Sequence, residues 1–368
     1  MTAPFHSNIV VKTKLLLPAL ALAILLGVRA ASPDSETPKN LLSEYGFFTG
    51  PLADLKPAER VFPYEVNAPL FSDYAEKARF VALPAGQKMT YQTHLSVDFP
   101  VGTALIKNFF YYNDAAHPEK GRRILETRLL IREEKGWKAL EYLWNAEQTD
   151  AVLEVAGASF PFSWTDANGS AHQIQYVAPN LNQCKGCHSY DGKFVPLGTT
   201  VRQLNREVQQ GGEMQNQLVL WQKNEWIDLS AGFDPATAPR LADYRQATPG
   251  TAASPTFGDP LTDRARAYLD ANCGHCHNAH GPASTSGMFL DISETDPERL
   301  GVNKTPVAAG RGSGNRRFGI VPGKPQESIL VFRMENGDPG VRMPELGRQL
   351  EHAEGVELIK NWIRQMHP

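Results

Sequence analysis

Two short stretches of this chain carry residue types that do chemistry: NQCKGCHSY at 182–190 and NCGHCHNAH at 272–280. The 368 residues include four cysteines, and all four fall in these two Cys-x-x-Cys pairs, each followed at once by a histidine. Three chemistries compete for such a pattern. A redox dithiol needs a thioredoxin-like βαβ setting, and neither pair follows a strand in such a unit. One zinc held by four cysteines would span a linker far longer than zinc ribbons use, and it leaves the repeated histidine without a role. Two thioether bonds to the vinyl groups of a haem, with the adjacent histidine as proximal ligand, account for every residue. Cys184 and Cys187, like Cys273 and Cys276, sit one helical turn apart, so both sulfurs can meet one porphyrin edge while His188 or His277 reaches beneath the plane. The expected cofactors are two covalently attached haem c groups, with His188 and His277 ligating iron.

Each iron has a second axial face. Met343, in GVRMPELGR, lies in a loop stiffened by Pro344 and is expected to pair with His277, core filling being the alternative use of a methionine. For the first iron the downstream candidate is Met214 in GGEMQNQ, only a short span beyond His188, with half-burial on the surface as its plainer fate. His172 in SAHQIQY is expected to face solvent, and Met334 in SILVFRM to fill core. Were the first iron to lack a strong sixth ligand, it would offer a small-molecule site rather than a pure electron carrier.

These residues need elements to hold them. From Arg79 to Ala178 the chain runs as short segments rich in β-branched and aromatic residues, among them GTALIKNFFYY, ILETRLLIR and WKALEYLWN, with turns expected at REEKGW and TDANGS. LTDRARAYLDANCGHCH reads as a helix capped by Thr262 or Asp263 with Ala265, Tyr268 and Leu269 on one face, and GVELIKNWIRQM places Val356, Ile359, Trp362, Ile363 and Met366 at helical spacing. The expected fold class is α+β multidomain. A β-rich antiparallel module at 31–180 would be followed by a first haem-attachment segment at 181–243, an Ala/Thr/Pro/Gly linker at 244–260, and an all-α, class I-like cytochrome c domain at 261–368.

The first thirty residues read differently. Lys12 and Lys14 precede an apolar run from Leu15 to Val28, and Val28-Arg29-Ala30 offers small residues at a cleavage site, the pattern of a secretory signal over 1–30. The run is too short to span a bilayer. Export would place the mature chain in the periplasm with no membrane span. Loss of Lys12, Lys14 and Arg29 takes the formal charge from −3 to −6, a balance that speaks against nucleic-acid binding.

On these residues the chain resembles the exported dihaem c-type cytochromes of Gram-negative bacteria. The similarity runs through APLFSDYAEKARFVALP, FPVGTALIKNFFYY, PLGTTVRQLNRE, RARAYLDANCGHCH, VPGKPQESILVFRM and MPELGR, and thus over nearly all of the mature chain. It implies two Cys-x-x-Cys-His attachment sites and Met343 as the ligand of the second iron; Met214 matches no family motif. The N-terminal half also resembles the β-modules of the cytochrome P460 type, which makes Lys107 in FPVGTALIK the position to examine. As a strand lysine it is expected to face solvent. The implied function is electron transfer between redox partners, with a periplasmic redox protein or dehydrogenase on one side. The alternative is a haem enzyme that oxidises or reduces a small molecule at an open first iron, the second haem relaying electrons.

Overall fold

The computed structural model describes residues 37–91, 96–246 and 257–367, besides Met1; the stretch read as a signal segment and most of the expected linker lie outside the described residues. Among the described residues no helix is long and apolar enough to cross a membrane.

Its strands are β1 (Val61–Tyr64), β2 (Glu76–Ala82), β3 (Met89–Thr90), β4 (Ala104–Tyr112), β5 (Arg122–Glu133), β6 (Gly136–Trp144), β7 (Ala151–Glu154), β8 (Ala158–Thr165) and β9 (Ala171–Ala178). β1, β2, β4, β5, β6 and β7 form one antiparallel sheet in that order, and β8 and β9 a separate hairpin. Both expected turns are present. β5 turns into β6 through Glu134 and Lys135, and β8 into β9 through a turn in which Asp166 Oδ1 accepts from the amides of Asn168 and Ser170, while Gly169 takes a φ of 81° that a β-carbon would disfavour.

Strand alternation gives the sheet two working faces. One buries Phe80, Ile106, Phe110, Ile124, Leu129 and Tyr142 against Leu42, Phe48 and Leu55 of the N-terminal segment. On the other, one end packs Leu105 and Val81 against α2 (Val201–Leu204) and α3 (Gln217–Lys223) through Leu204, Leu218 and Trp221, and the opposite end packs Phe109, Tyr111 and Leu125 against Trp164, Ile174 and Tyr176 of the hairpin. Burial of each such side chain contributes about 1.5–3 kcal/mol. Between the two packed ends the same face carries Arg79, Lys107 and Arg128, which line a cavity.

The expected all-α domain at 261–368 is not what the chain builds. The molecule is β-rich, dominated by its six-stranded antiparallel sheet, and its described helices are few and short. In the C-terminal stretch they are α4 (Pro260–Leu269), α5 (Ile329–Glu335) and α6 (Ala353–Gln365). The apolar stripes on α4 and α6 are as expected, with Tyr268, Leu269, Ile359, Trp362 and Ile363 all buried. The long Gly- and Pro-rich stretch between α4 and α5 is loops broken by single helical turns, with parallel bridges pairing Val302 with Ile320 and Phe318 with Ser328. Nor is the core there self-contained, because Ala68, Leu241 and Tyr244 belong to it. Tyr244, expected at the start of a linker, is buried and donates its hydroxyl to Pro69 O. The segment 68–75 straps the sheet to the C-terminal part. Phe71 stacks on His352 with centroids 4.1 Å apart, and Asp73 Oδ1 accepts from the amides of Gln349 and Leu350, both at 2.7 Å.

Candidate haem-attachment site

The first Cys-x-x-Cys-His motif occupies a helix of its own, α1 (Leu181–Cys187), which starts directly after β9. Asn180 and Gln183 close a reciprocal capping box, Asn180 Oδ1 accepting from Gln183 N at 3.0 Å and Gln183 Oε1 from Asn180 N at 2.9 Å. That single turn sets Cys184 and Cys187 on one side. His188 follows at the helix end, its amide donating to Cys184 O at 3.0 Å. A tiny hairpin of β10 (Ser189–Tyr190) and β11 (Lys193–Phe194) then folds back, so that the His188 ring stacks on Phe194 at 5.0 Å and its Nδ1 lies 2.8 Å from Val195 O.

The second motif is launched by α4. The cap is Asp259 rather than the expected Thr262 or Asp263: it accepts from the amides of Leu261 and Thr262, both at 2.9 Å, because Pro260 is best placed at the first helical position. The helix widens into a π-helical turn over Asp270–Gly274, which carries Cys273. Gly274 has backbone of Asp291 2.9 Å from where a β-carbon would stand, so no larger residue fits there. His277 Nδ1 lies 3.2 Å from Met288 O.

Both motif histidines thus make the same contact. A carbonyl can only accept, so Nδ1 carries the proton in each and Nε2 keeps its lone pair, the orientation that suits a metal-ligating imidazole. Burial holds His188 down at about 4 and lowers His277 as well, which keeps both rings neutral at pH 7.

The tertiary structure brings the two motifs into contact. The ligand atoms of Cys187, His275 and Cys276 lie within 4.8 Å of one another, Asp191 N donates to His280 O at 3.0 Å, and His280 Nδ1 meets Asp191 Oδ1 at 2.8 Å. All four cysteines are free thiols. Burial pushes Cys184 up to about 11 and Cys273 up to about 12. Hydrogen bonding from the Cys276 thiol holds Cys187 far below the thiol range and raises Cys276 in turn.

Beside the first motif lies a cavity of about 870 Å³. Cys184, Cys187 and His188 all line it, as do Gly274 and His275 of the second motif, whereas Cys273, Cys276 and His277 do not. Met343 and Met334 also line this cavity, and Met334 is buried in the C-terminal core as expected. Leu346, from the Met343 loop, packs against Gly186 inside the first motif. Met214 is elsewhere. It sits on β13 (Glu213–Asn216), paired with Gln209 of β12 (Glu207–Gln210), is 64% exposed and does not line the cavity. His172 bonds Asp166 at 2.8 Å and is likewise outside the cavity.

Lys107 departs from its expectation. It lines the cavity rather than facing outward, in a row with Arg79 and Arg128. Arg128 pairs with Glu126, and Glu141 opposite it is pushed up to about 10 by burial and by Glu126. Sequence reasoning passed over Arg79, Arg128, Glu126, Glu141 and His275, because only strand register and the packing of the motifs place them here. One signal was available: ALIKNFFYY carries a single lysine within an otherwise nearly apolar strand.

No family model, curated protein or solved structure matches this chain.

The residues present fit a haem at the first motif: two cysteines on one face of a helical turn, a neutral histidine with a free Nε2, and a cavity large enough for a cofactor. Several polar atoms around the cavity have no hydrogen-bond partner, among them His275 Nδ1, Arg128 Nε, Arg342 Nε and both oxygens of Glu141, which leaves donors and acceptors for a bound group.

Proposed function

We propose that this chain is a periplasmic dihaem c-type cytochrome that carries electrons between redox partners, one of them a periplasmic redox protein or dehydrogenase. The observation that carries the reading is the repeated histidine geometry: immediately after each Cys-x-x-Cys pair, an imidazole gives its Nδ1 proton to a backbone carbonyl and keeps Nε2 free. Cys184 with Cys187, and Cys273 with Cys276, would hold the two groups through thioethers, and His188 and His277 would ligate iron. Haem bound in this way supplies one-electron redox chemistry. The chain's own contribution is to orient the imidazoles, keep them neutral, and hold the two motifs against each other.

Expression in a host that ligates haem tests this. Intact mass should exceed the peptide mass by two haems, and the pyridine haemochrome should be of the c type. His188→Ala and His277→Ala should each alter the axial ligation of one haem while leaving the other's spectrum in place. A bare peptide mass with four free thiols would end the proposal.

The cavity against His188 favours a second reading, in which the first iron has an exchangeable face and the protein acts on a small molecule. Carbon monoxide added to the ferrous protein, and cyanide to the ferric, should perturb one haem under this reading and neither under the first. The Cys187, His275 and Cys276 cluster favours a third, a soft divalent metal held between the motifs; metal analysis of haem-free protein decides it.

A further inference from the structure

One wall of the cavity is unusual in its charge. β2, β4 and β5 are neighbours, with Arg79 directly opposite Lys107 and Lys107 directly opposite Arg128. Three basic side chains therefore stand in one line on one face of the sheet, and all three line the cavity; burial and the charges of Arg79, Lys77 and Arg128 push Lys107 well below the usual lysine range, which an anion seated beside it would reverse. Two inter-strand spacings make that line roughly 10 Å long. Like charges placed directly across strands repel. The acids nearby do not offset them: Glu126 is taken up by Arg128, and Glu141, pushed up to about 10 by burial, is protonated at pH 7 and brings no charge. The side chains of Arg79 and Lys107 make no hydrogen bond or ion pair with any described residue; Lys107 Nζ has the ring of Phe109 at 4.9 Å, a weak substitute for an anion. The charge of Arg128 is felt at the Cys184 thiol and that of Lys107 at His188, so the row extends alongside the first motif.

We propose that Arg79, Lys107 and Arg128 form an anion receptor within the cavity, which takes a carboxylate or a small oxyanion. The row matches such a group because guanidinium and ammonium donors give short, charge-assisted hydrogen bonds to paired oxygens. Two sources carry this chemistry: the acidic side groups of a haem held at His188, or a diffusible oxyanion that enters beside it. The receptor rests on strand register and burial, and it stands whether or not the haem reading does.

The test uses the haem-loaded full chain in chloride-free buffer, with wild type, Arg79→Met, Lys107→Met, the charge-keeping Lys107→Arg, and Lys223→Met, at an exposed position at the end of α3, as a control. Sulfate is titrated calorimetrically, and the midpoint potentials of both haems are measured by spectroelectrochemistry. If the anion is diffusible, wild type binds sulfate with unit stoichiometry, the two Met variants at the wall weaken it by about tenfold or more, and Lys107→Arg retains it. If the haem's own acidic groups occupy the row, sulfate gives no heat, and Arg79→Met and Lys107→Met each lower the midpoint potential of one haem while Lys107→Arg and Lys223→Met do not. Absence of heat together with potentials unchanged from the Lys223→Met control would overturn the receptor. Mass separates the two proposals: a haem-free chain that binds sulfate keeps the receptor and loses the cytochrome, and a haem-loaded chain silent in both arms does the reverse.

Discussion

Cys187 and Cys276, members of different Cys-x-x-Cys pairs, are nearer neighbours in space than their separation in the chain suggests, their sulfurs and a His275 ring nitrogen all lying within 4.8 Å. The Cys276 Sγ also lies 3.5 Å from Gly186 O, inside the other motif. In chain produced without haem, this contact makes Cys187 the thiolate of the four, because it accepts from Cys276 and has His275 beside it. Iodoacetamide at pH 6 should label Cys187 well ahead of Cys184 and Cys273, whose burial keeps them protonated. Mild oxidation with diamide should join Cys187 to Cys276, read as a cross-motif peptide in a non-reducing digest. Equal labelling of all four cysteines would count against the contact.

The two candidate methionine ligands should behave oppositely. Met214→Ala removes a 64% exposed side chain remote from the cavity lining, so both haem spectra should match wild type. Met343→Ala removes a cavity-lining thioether and should convert part of the ferric low-spin signal to high-spin, seen by electron paramagnetic resonance. Carbon monoxide binding before and after the change shows which iron lost its ligand.

His352 makes the strap between sheet and C-terminal part sensitive to acid. It stacks on Phe71, its Nδ1 is 3.2 Å from the Tyr268 hydroxyl, and burial holds it down at about 4. The folded state therefore binds fewer protons than the unfolded one between the ordinary histidine value of 6.5 and 4. The stability contributed by neutral His352 is fully present above pH 6.5 and is lost as pH falls through that window. His352→Phe, which keeps the stack, should flatten the pH dependence of the urea midpoint between pH 7 and 4. An unchanged slope would show that His352 is not the titrating group.

The acids on the sheet face should tolerate neutralisation better than loss of their cation. Glu141 is already protonated at neutral pH, pushed up to about 10, so Glu141→Gln should shift stability by less than about 1 kcal/mol. Arg128→Met leaves the buried Glu126 carboxylate without its partner and should cost about 3–5 kcal/mol, measured by chemical denaturation at pH 7.

Helices α4 and α6 meet at Gly355, where a β-carbon would stand 2.5 Å from the Tyr268 ring. Gly355→Ala adds helix propensity of about 1 kcal/mol but forces the helices apart, with an overpacking cost of about 1–3 kcal/mol. The net should be a lower Tm. Gly355→Ala combined with Tyr268→Leu should recover part of it, since the ring that collides is gone.

Local chemistry was readable from the residues in order. The four cysteines in two pairs, the histidine after each, the hairpin turns at REEKGW and TDANGS, and the stripes on α4 and α6 depend on neighbours within a few positions. Spacing of one helical turn, a glycine at positive φ or a 3.6-residue period can therefore be read directly. The all-α domain fails for a related reason: the two real helices α4 and α6 flank a stretch whose glycines and prolines end helices, and the core there needs Ala68 and Tyr244 from outside it.

What the sequence by itself determined is which atoms are available: sulfurs in pairs, imidazoles beside them, and a lysine inside an apolar strand. Only the tertiary structure decided who meets whom. The contact of Cys187 with Cys276, the confinement of Met343 to the cavity wall and of Met214 to the surface, and the line of Arg79, Lys107 and Arg128 all join residues far apart in the chain. Strand register and the burial of apolar faces make such pairings, and a one-residue slip in register would turn those cations to the opposite face of the sheet.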